Sequence, residues 1–193
     1  MDFDEVVRNR KSVRSFTDGK VGWRNIMDAV DSALQGPFAG NQNNLKFLIV
    51  EDKERIKEIS AVCEQIWIAE AGALIVVCSE ETHLENAYGE RGRIYCRQQA
   101  GAVIQTVLFK LIDIGLSACW IGAYDDDALR RKLEIPKEIL IEAIIPLGYQ
   151  KGDVKKPNKK SLESALFWEK WGKTKRTGIF EEEKEDYRPM RIG

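Results

Sequence analysis

The sequence predicts an α/β or α+β protein in which helices cover a sheet of buried strands. Two observations predict this class. Helical and strand patterns alternate along the chain, and the strand-like runs are apolar through their length, as in strands that are covered on both faces. The 193 residues are enough for one sizeable core. We therefore expect a single domain over residues 1–193, with a charged C-terminal extension from about residue 170.

The first half of the chain alternates between short amphipathic and apolar segments. Phe3–Asn9 is expected to be a short helix, and Trp23–Gln35 carries apolar residues along one helical face. Gly36-Pro37 stops this second helix. The run Leu45–Val50 (LKFLIV) has the length of a buried strand, and Lys53–Val62 returns to helical spacing.

The centre of the chain contains the strongest helical pattern. Ala73–Cys78 (ALIVVC) is a second apolar run of strand length, rich in branched residues. In Arg97–Ile114, apolar residues recur at three and four positions and occupy nearly every side, which indicates a central, buried helix. Gly115 is a suitable C-terminal cap for it.

The last part of the chain changes from apolar to charged. Asp125–Asp127 can cap a short helix that ends near Leu133, and Ile139–Tyr149 contains another strand. A short helix is predicted at Ala165–Trp171, before the charged tail Phe180–Gly193. None of the strands is followed by GxGxxG, so a Rossmann pocket is not predicted.

Composition excludes or disfavours several classes of protein. Thirty basic and thirty-one acidic residues leave a net charge of -1, without the basic excess of a typical nucleic-acid binder. No apolar run approaches the roughly 20 residues of a membrane span. The N-terminus lacks the apolar core of a signal peptide, so we expect a cytoplasmic protein.

Cysteine and histidine usage predicts no metal site. Four cysteines are widely spaced without CxxC, which favours buried reduced thiols over disulfides or metal ligands. The one histidine, His83, has no clustered partner.

The basic segment Arg10–Phe16 (RKSVRSF) is the first candidate binding site. Its cations and hydroxyls are the groups that hold a phosphate monoester. In an extended segment, Arg10, Ser12 and Arg14 project to the same side. A solvated basic loop is the alternative interpretation.

Five motifs follow one another in order over about residues 3–168, nearly the whole chain. They are Arg10–Phe16 (RKSVRSF), Gly36–Asn43 (GPFAGNQN), Ile114–Tyr124 (IGLSACWIGAY), Leu133–Pro136 (LEIP) and Ile145–Tyr149 (IPLGY). In order and spacing they resemble the motifs of the nitroreductase family. The resemblance implies an α+β fold with a central, mostly antiparallel sheet. It also implies a homodimer with two FMN molecules in the subunit interface.

The resemblance assigns the opening motif to the cofactor. Arg10, Lys11 and Ser12 would hold the phosphate and ribityl chain of FMN. Arg14 would lie near the N1/O2 edge of the ring, where a cation stabilises the charge of the reduced flavin.

Two further segments would enclose the flavin ring. The resemblance implies that a loop of the partner chain packs beside it through Pro37, Phe38, Ala39 and Asn41. Trp120, Ile121 and Gly122 would cover the other side, and the backbone N–H of Ile121 or Gly122 would reach flavin N5. Without the resemblance, the CWIG sequence is equally a core turn that contains a buried Trp.

Weaker assignments and departures complete the comparison. Lys159 and Lys160 stand where the family has a phosphate-binding Arg, although KKPNKK is also typical of a solvated basic run. Gln65 is a candidate for the pyrimidine edge of the ring. Phe38 replaces a small Ser of the family pattern, and Gln99 replaces an acid.

The function that follows from the resemblance is a two-step oxidoreduction. NAD(P)H would reduce FMN, and a small electron-poor acceptor such as a nitroaromatic or a quinone would reoxidise it. Because the cofactor supplies the chemistry, no catalytic side chain is assigned. Alternatives are a specialised flavoenzyme such as a dehalogenase, a non-catalytic flavin-binding or redox-sensing protein, and a structural α/β domain without cofactor.

Overall fold

The computed structural model describes residues 1–176. The chain divides into two compact units, Met1–Val154 and Lys155–Gly193. The predicted charged tail Phe180–Gly193 lies outside the described residues. Along residues 1–176, no helix combines the length and the apolar character needed to cross a membrane.

The first unit is built on a four-stranded sheet with the order β1-β2-β4-β3. Its strands are β1 Leu45–Val50, β2 Ala73–Glu80, β3 Ser117–Ala118 and β4 Ile139–Gly148. Every neighbouring pair is antiparallel. The α+β class and the antiparallel sheet are therefore confirmed. The two-residue β3 was not predicted, because so short a strand leaves no alternation to detect.

Six α-helices accompany the sheet in the described part of the chain: α1 Phe3–Asn9, α2 Trp23–Leu34, α3 Lys53–Val62, α4 Thr82–Tyr88, α5 Glu90–Asp113 and α6 Asp126–Leu133. Short 3-10 helices occupy Ala39–Asn41, Ile66–Glu70 and Leu162–Ser164. The predicted helices of the first unit are confirmed, although α5 starts at Glu90 rather than Arg97. The sequence did not predict α4, because Leu84 is its only buried residue.

Helices pack on both faces of the sheet. On one face, Ile75 and Val77 of β2 belong to an apolar cluster with α2 and α5. On the other face, Leu74 and Val76 pack with residues of α3 and α6. This two-sided burial explains why β2 is apolar at successive positions rather than at alternate ones.

The four cysteines are buried and unpaired, as predicted. Burial raises the pKa of the Cys63 and Cys78 thiols to about 11, because the thiolate loses its hydration in an apolar environment. Both thiols therefore stay protonated, and act as small apolar side chains in the core.

A β-bulge interrupts the pairing of β2 with β4. Val77 pairs with Ala143, but the next residue of β2, Cys78, pairs with Ile141. Glu142 is the extra residue, and its carboxylate accepts hydrogen bonds from Ser79 and from the guanidinium of Arg97. The bulge therefore connects the sheet to α5.

The cap predictions are also confirmed. Gly115 follows α5 with φ 82°, and the N–H of Leu116 donates to the carbonyl of Leu111 at 2.8 Å. This is the left-handed turn for which glycine is favoured. At the start of α6, the Asp125 carboxylate accepts a hydrogen bond from the Ala128 N–H at 2.8 Å.

The helix predicted at Ala165–Trp171 in the second unit is wrong. Tight turns follow the short 3-10 helix, and Glu169 and Gly172 both have positive φ. The Trp168 N–H donates to the Lys173 carbonyl at 2.7 Å, which closes a loop instead of extending a helix. A seven-residue amphipathic segment is too short to form a helix without a packing surface.

Candidate functional site

The basic segment Arg10–Phe16 runs along the edge of the sheet next to β3. The Val13 N–H donates to the carbonyl of Ala118 at 3.1 Å, and the Thr17 N–H donates to that of Tyr149 at 2.9 Å. Val13 and Phe16 are buried and anchor the segment. Between these two anchors Arg14 is exposed and Ser15 is half-buried.

Three of the predicted phosphate and ring ligands influence the buried Cys119 thiol. Burial raises the pKa of Cys119, and the charge of Arg14, a hydrogen bond with Ser12 and the charge of Arg10 partly oppose that rise. The bridge between Ser12 and Ala118 places the basic segment next to Cys119. That Arg10, Ser12 and Arg14 all project to one side of the segment stays a prediction.

The guanidinium charges of Arg10 and Arg14 are not neutralised by an ion pair within the described residues. Within residues 1–176, no carboxylate lies within ion-pair distance of the guanidinium of Arg10 or Arg14. Lys11 differs because its Nζ lies 3.8 Å from Asp153 Oδ1. Two guanidiniums and a hydroxyl without a counter-charge form a suitable anion site.

The 3-10 helix Ile66–Glu70 supports the basic segment through two residues that sequence reasoning did not identify. The Glu70 carboxylate accepts hydrogen bonds from the Phe16 N–H at 3.2 Å and from the Ser15 hydroxyl at 3.3 Å. The Arg14 guanidinium lies 6.0 Å from the ring centre of Trp67. These contacts hold Arg14 in place, but they join segments some fifty residues apart, so no local pattern indicated them.

The segment Cys119–Gly122 continues from β3 along the edge of β4, next to the basic segment. The Cys119 N–H donates to the Pro146 carbonyl at 3.1 Å, and Ile121 exchanges two backbone hydrogen bonds with Ile144 at 2.9 and 3.0 Å. The N–H of Ile121 is therefore committed within the sheet. Of the two N–H groups that sequence analysis offered for flavin N5, only that of Gly122 is without an acceptor in residues 1–176.

Gly122 lies at the surface. It is exposed, and a Cβ placed on it would meet nothing within 4 Å. The adjacent residue Ala123 accepts a hydrogen bond from the Gln65 side chain at 3.4 Å, so Gln65 lies at the same end of the sheet. Trp120 has 42% of its surface exposed, and its ring faces α5 near Gly101, where an added Cβ would lie 4.0 Å from it.

The loop that contains Pro37, Phe38 and Ala39 packs against the first half of α5. It lines a cavity of about 380 Å³ with helix residues that include Gln98, Gln99 and Ala102. Asn41 ends the short 3-10 helix of this loop and is exposed. The assignment of this loop to the cofactor of a partner subunit stays a prediction.

The remaining candidates, Lys159 and Lys160, belong to the second unit. Both residues are exposed there, in an extended stretch before the Leu162–Ser164 turn. Their assignment to the phosphate stays a prediction.

The site in the first unit combines three kinds of group. Two arginines and Ser12 offer anion binding, Gly122 offers a backbone donor at the surface, and the Trp120 ring offers an apolar surface. These groups fit a planar, anionic cofactor such as a flavin mononucleotide. The protein is therefore of the α+β class, with an antiparallel sheet between helices and a candidate anion site at the edge of that sheet.

The chain belongs to the nitroreductase family. The family model matches residues 7–83 and 57–149, which together include most of the first unit.

Individual relatives agree with this membership. A protein of Archaeoglobus fulgidus, provisionally named an NADH dehydrogenase/NAD(P)H nitroreductase, is 27% identical over 154 residues, 77% of this chain and 86% of that protein. The FMN reductase [NAD(P)H] of Bacillus subtilis is 25% identical, over 76% of this chain and 66% of that protein. The iodotyrosine deiodinase of Thermotoga neapolitana is 24% identical, over 75% of this chain and 87% of that protein.

Solved structures agree on the fold. A nitroreductase family protein from Clostridium difficile 630 superposes with a TM-score of 0.78 at 21% identity, over 88% of this chain and 99% of that one.

Proposed function

We propose that the protein is an FMN-dependent oxidoreductase that takes hydride from NAD(P)H and reduces a small electron-poor acceptor. The observation that carries the proposal is a pair of guanidiniums, Arg10 and Arg14, that flank Ser12 on the segment beside Cys119 and form no ion pair within residues 1–176. A basic group with no counter-charge is costly to assemble unless an anion completes it. The relatives named as NAD(P)H-dependent reductases support the same activity.

Each group of the site has a proposed role toward the cofactor. Arg10, Lys11 and Ser12 bind the phosphate and ribityl chain, and Arg14 places a positive charge at the pyrimidine edge of the ring. When bound, FMN supplies the redox chemistry by accepting hydride at N5 and passing two electrons to the acceptor. Gly122 donates its N–H toward that nitrogen, and Trp120 excludes water from one side.

The active form is proposed to be a homodimer. Several large apolar side chains of the helices are exposed, among them Trp23 (61%) and Met27 (55%), one turn apart on α2. An isolated pair of this kind is unfavourable in water and typical of a subunit interface. The dimer also supplies the loop Pro37–Asn41 of one chain to the cofactor of the other.

The purified protein is expected to be yellow and to release FMN on heating. A phosphate site made of Arg10, Lys11 and Ser12 closes around a terminal phosphate, and no residue of the proposed site is assigned to an adenosine. Mass spectrometry of the released flavin distinguishes FMN from FAD, and anaerobic addition of NADH or NADPH should bleach the flavin absorbance. Recovery of FAD, or of no flavin after reconstitution, would contradict the proposal.

Sedimentation of the flavin-loaded protein should show a dimer at micromolar concentration. Obligate interfaces of this kind bury about 2,000–5,000 Å² in total. Charge placed in the exposed apolar pair, as in Met27→Glu, is expected to dissociate the dimer and release flavin. A folded monomer that keeps its flavin would refute the two-chain site.

Reductive dehalogenation is a second candidate reaction, favoured by the likeness to the Thermotoga deiodinase. Turnover assays with menadione, a nitrofuran and an iodinated phenol separate the two reactions by their products. A protein that binds FMN but oxidises no NAD(P)H with any acceptor would instead be a flavin-binding or redox-sensing protein.

A further inference from the structure

Two buried amide side chains connect α5 to the loop that precedes β1. Gln99 has 5% of its surface exposed, and Asn44 has 7%. Gln99 lies on the core side of α5, next to the apolar Ala100 and one turn before Val103. A buried amide is costly unless its donors and acceptor are all satisfied.

The Gln99 amide makes three hydrogen bonds, all of them to this loop. Its Oε1 accepts from the Ala39 N–H at 2.7 Å. Its Nε2 donates to Asn44 Oδ1 at 2.7 Å and to the Gln42 carbonyl at 3.3 Å. Because the Ala39 N–H can only donate, the orientation of the Gln99 amide is determined by its partners.

These contacts span the loop from one end to the other. Ala39 lies at its start, Gln42 near its middle and Asn44 at its end, where Asn44 Nδ2 also donates to the Glu80 carbonyl at 3.2 Å. Between them the backbone is unusual, because Gly40 and Asn41 have φ values of 58° and 57°. Glycine and asparagine are the residue types that adopt this left-handed conformation most readily, so the sequence itself favours a tight turn between the ends that Gln99 contacts.

The same helix residue faces the cavity that the loop lines. Gln99, Pro37, Phe38 and Ala39 all border the cavity of about 380 Å³. A shift of the Ala39 backbone would therefore move Pro37 and Phe38 directly. The shape of the cavity on the side formed by this loop therefore depends on the Gln99 amide.

We propose that Gln99 is a positioning residue that fixes the Pro37–Asn41 loop in the conformation that receives the flavin. The inference rests on the proposed function, because that function assigns this loop to the cofactor. Gln99 acts through its three hydrogen bonds and needs no contact with the cofactor. Both halves of the amide are required, since one end must accept and the other must donate.

Gln99→Glu tests this requirement through pH. The carboxylate keeps the acceptor for Ala39 but turns a second oxygen toward Asn44 Oδ1 and the Gln42 carbonyl. Burial and these oxygens disfavour the charged form, so we expect the pKa of the introduced carboxyl to rise above its usual value near about 4.3. Protonation of this carboxyl restores one donor toward Asn44. The hydrogen bond to Asn44 is therefore lost at high pH and regained as pH falls through the raised pKa.

The measurement is FMN affinity at about pH 8 and about pH 5.5, each expressed relative to the wild-type protein at the same pH. We expect Gln99→Glu to bind FMN about tenfold more weakly at the higher pH and to recover to within about threefold at the lower one. Gln99→Met, similar in length but without polar atoms, should be weaker at both pH values. Hydrogen–deuterium exchange of residues 36–44 should follow the same pattern in both variants.

The control is Gln105→Glu, which adds the same charge at another glutamine of α5, one that does not border the cavity. If Gln105→Glu reproduces the pH-dependent loss, charge rather than position is responsible and the proposal fails. Faster loop exchange with unchanged flavin affinity would also overturn it. A wild-type protein without flavin refutes the proposed function and this inference together, and the exchange data then still show whether Gln99 holds the loop.

Discussion

Replacement of Arg10 by alanine is expected to weaken FMN binding by roughly one to two orders of magnitude. A hydrogen bond to a charged partner contributes about 1.5–3 kcal/mol, and each 1.36 kcal/mol corresponds to a factor of ten. Arg10 is suited to this effect because no carboxylate in residues 1–176 competes for its charge. Titration of the apoprotein with FMN, followed by quenching of flavin fluorescence, gives the affinity.

Two variants of the same segment separate the roles of its cations. Lys11→Ala should cost less affinity, because Lys11 already lies 3.8 Å from Asp153. Arg14→Ala should lower the flavin reduction potential by tens of millivolts and slow reduction by NAD(P)H, since its charge favours the reduced anionic ring. Unchanged affinity and potential in Arg10→Ala and Arg14→Ala would mean that Arg10–Phe16 is only a solvated loop.

Replacement of Gly92 by alanine is expected to destabilise the protein by about 3 kcal/mol or more. In an ordinary helix this change stabilises by up to about 1 kcal/mol. A Cβ at Gly92, however, would lie 2.1 Å from the carbonyl oxygen of Leu84 and 2.3 Å from its carbon. These are backbone atoms of α4, so no side chain can turn away, and the whole helix must move. Urea unfolding measures the change in free energy.

Gly101→Ala is the matched control on the same helix. Its Cβ would lie 4.0 Å from the nearest atom, in the Trp120 ring, which is an ordinary van der Waals distance. We expect a gain of up to about 1 kcal/mol from helix propensity. If the two variants unfold at the same urea concentration, the close approach of α4 and α5 around Gly92 does not limit stability.

The parts of the fold that the sequence predicted are those that carry a local pattern. The apolar runs of β1 and β2 and the helical spacing of α5 are visible within a dozen residues. By contrast, α4 has a single buried residue, Leu84, so its sequence shows no apolar stripe. It packs against α5 at Gly92, and a glycine adds no apolar side chain to the pattern of that helix.

The same reasoning applies to the site. The spacing of Arg10, Ser12 and Arg14 is visible in the sequence, and all three influence the pKa of Cys119, which is more than a hundred positions away. The supporting residues Trp67, Glu70 and Gln99 act across 50 to 60 positions of sequence. A single sequence does not indicate which distant residues will meet, so these contacts required the structure.

The bulge at Glu142 changes the phase of β4. Before it, odd-numbered residues such as Ile139 and Ile141 face the cluster with α3 and α6, and after it the even-numbered Ile144 does so. Ala143 and Ile145 face the opposite cluster. Deletion of Glu142 would therefore restore regular alternation and leave the side chains on both sides of it on their present faces, whereas deletion of a residue elsewhere within β4 would make the side chains on one side of the deletion exchange faces. Glu142 is the position at which the two patterns of β4 meet, and its ion pair with Arg97 of α5 holds the extra residue there.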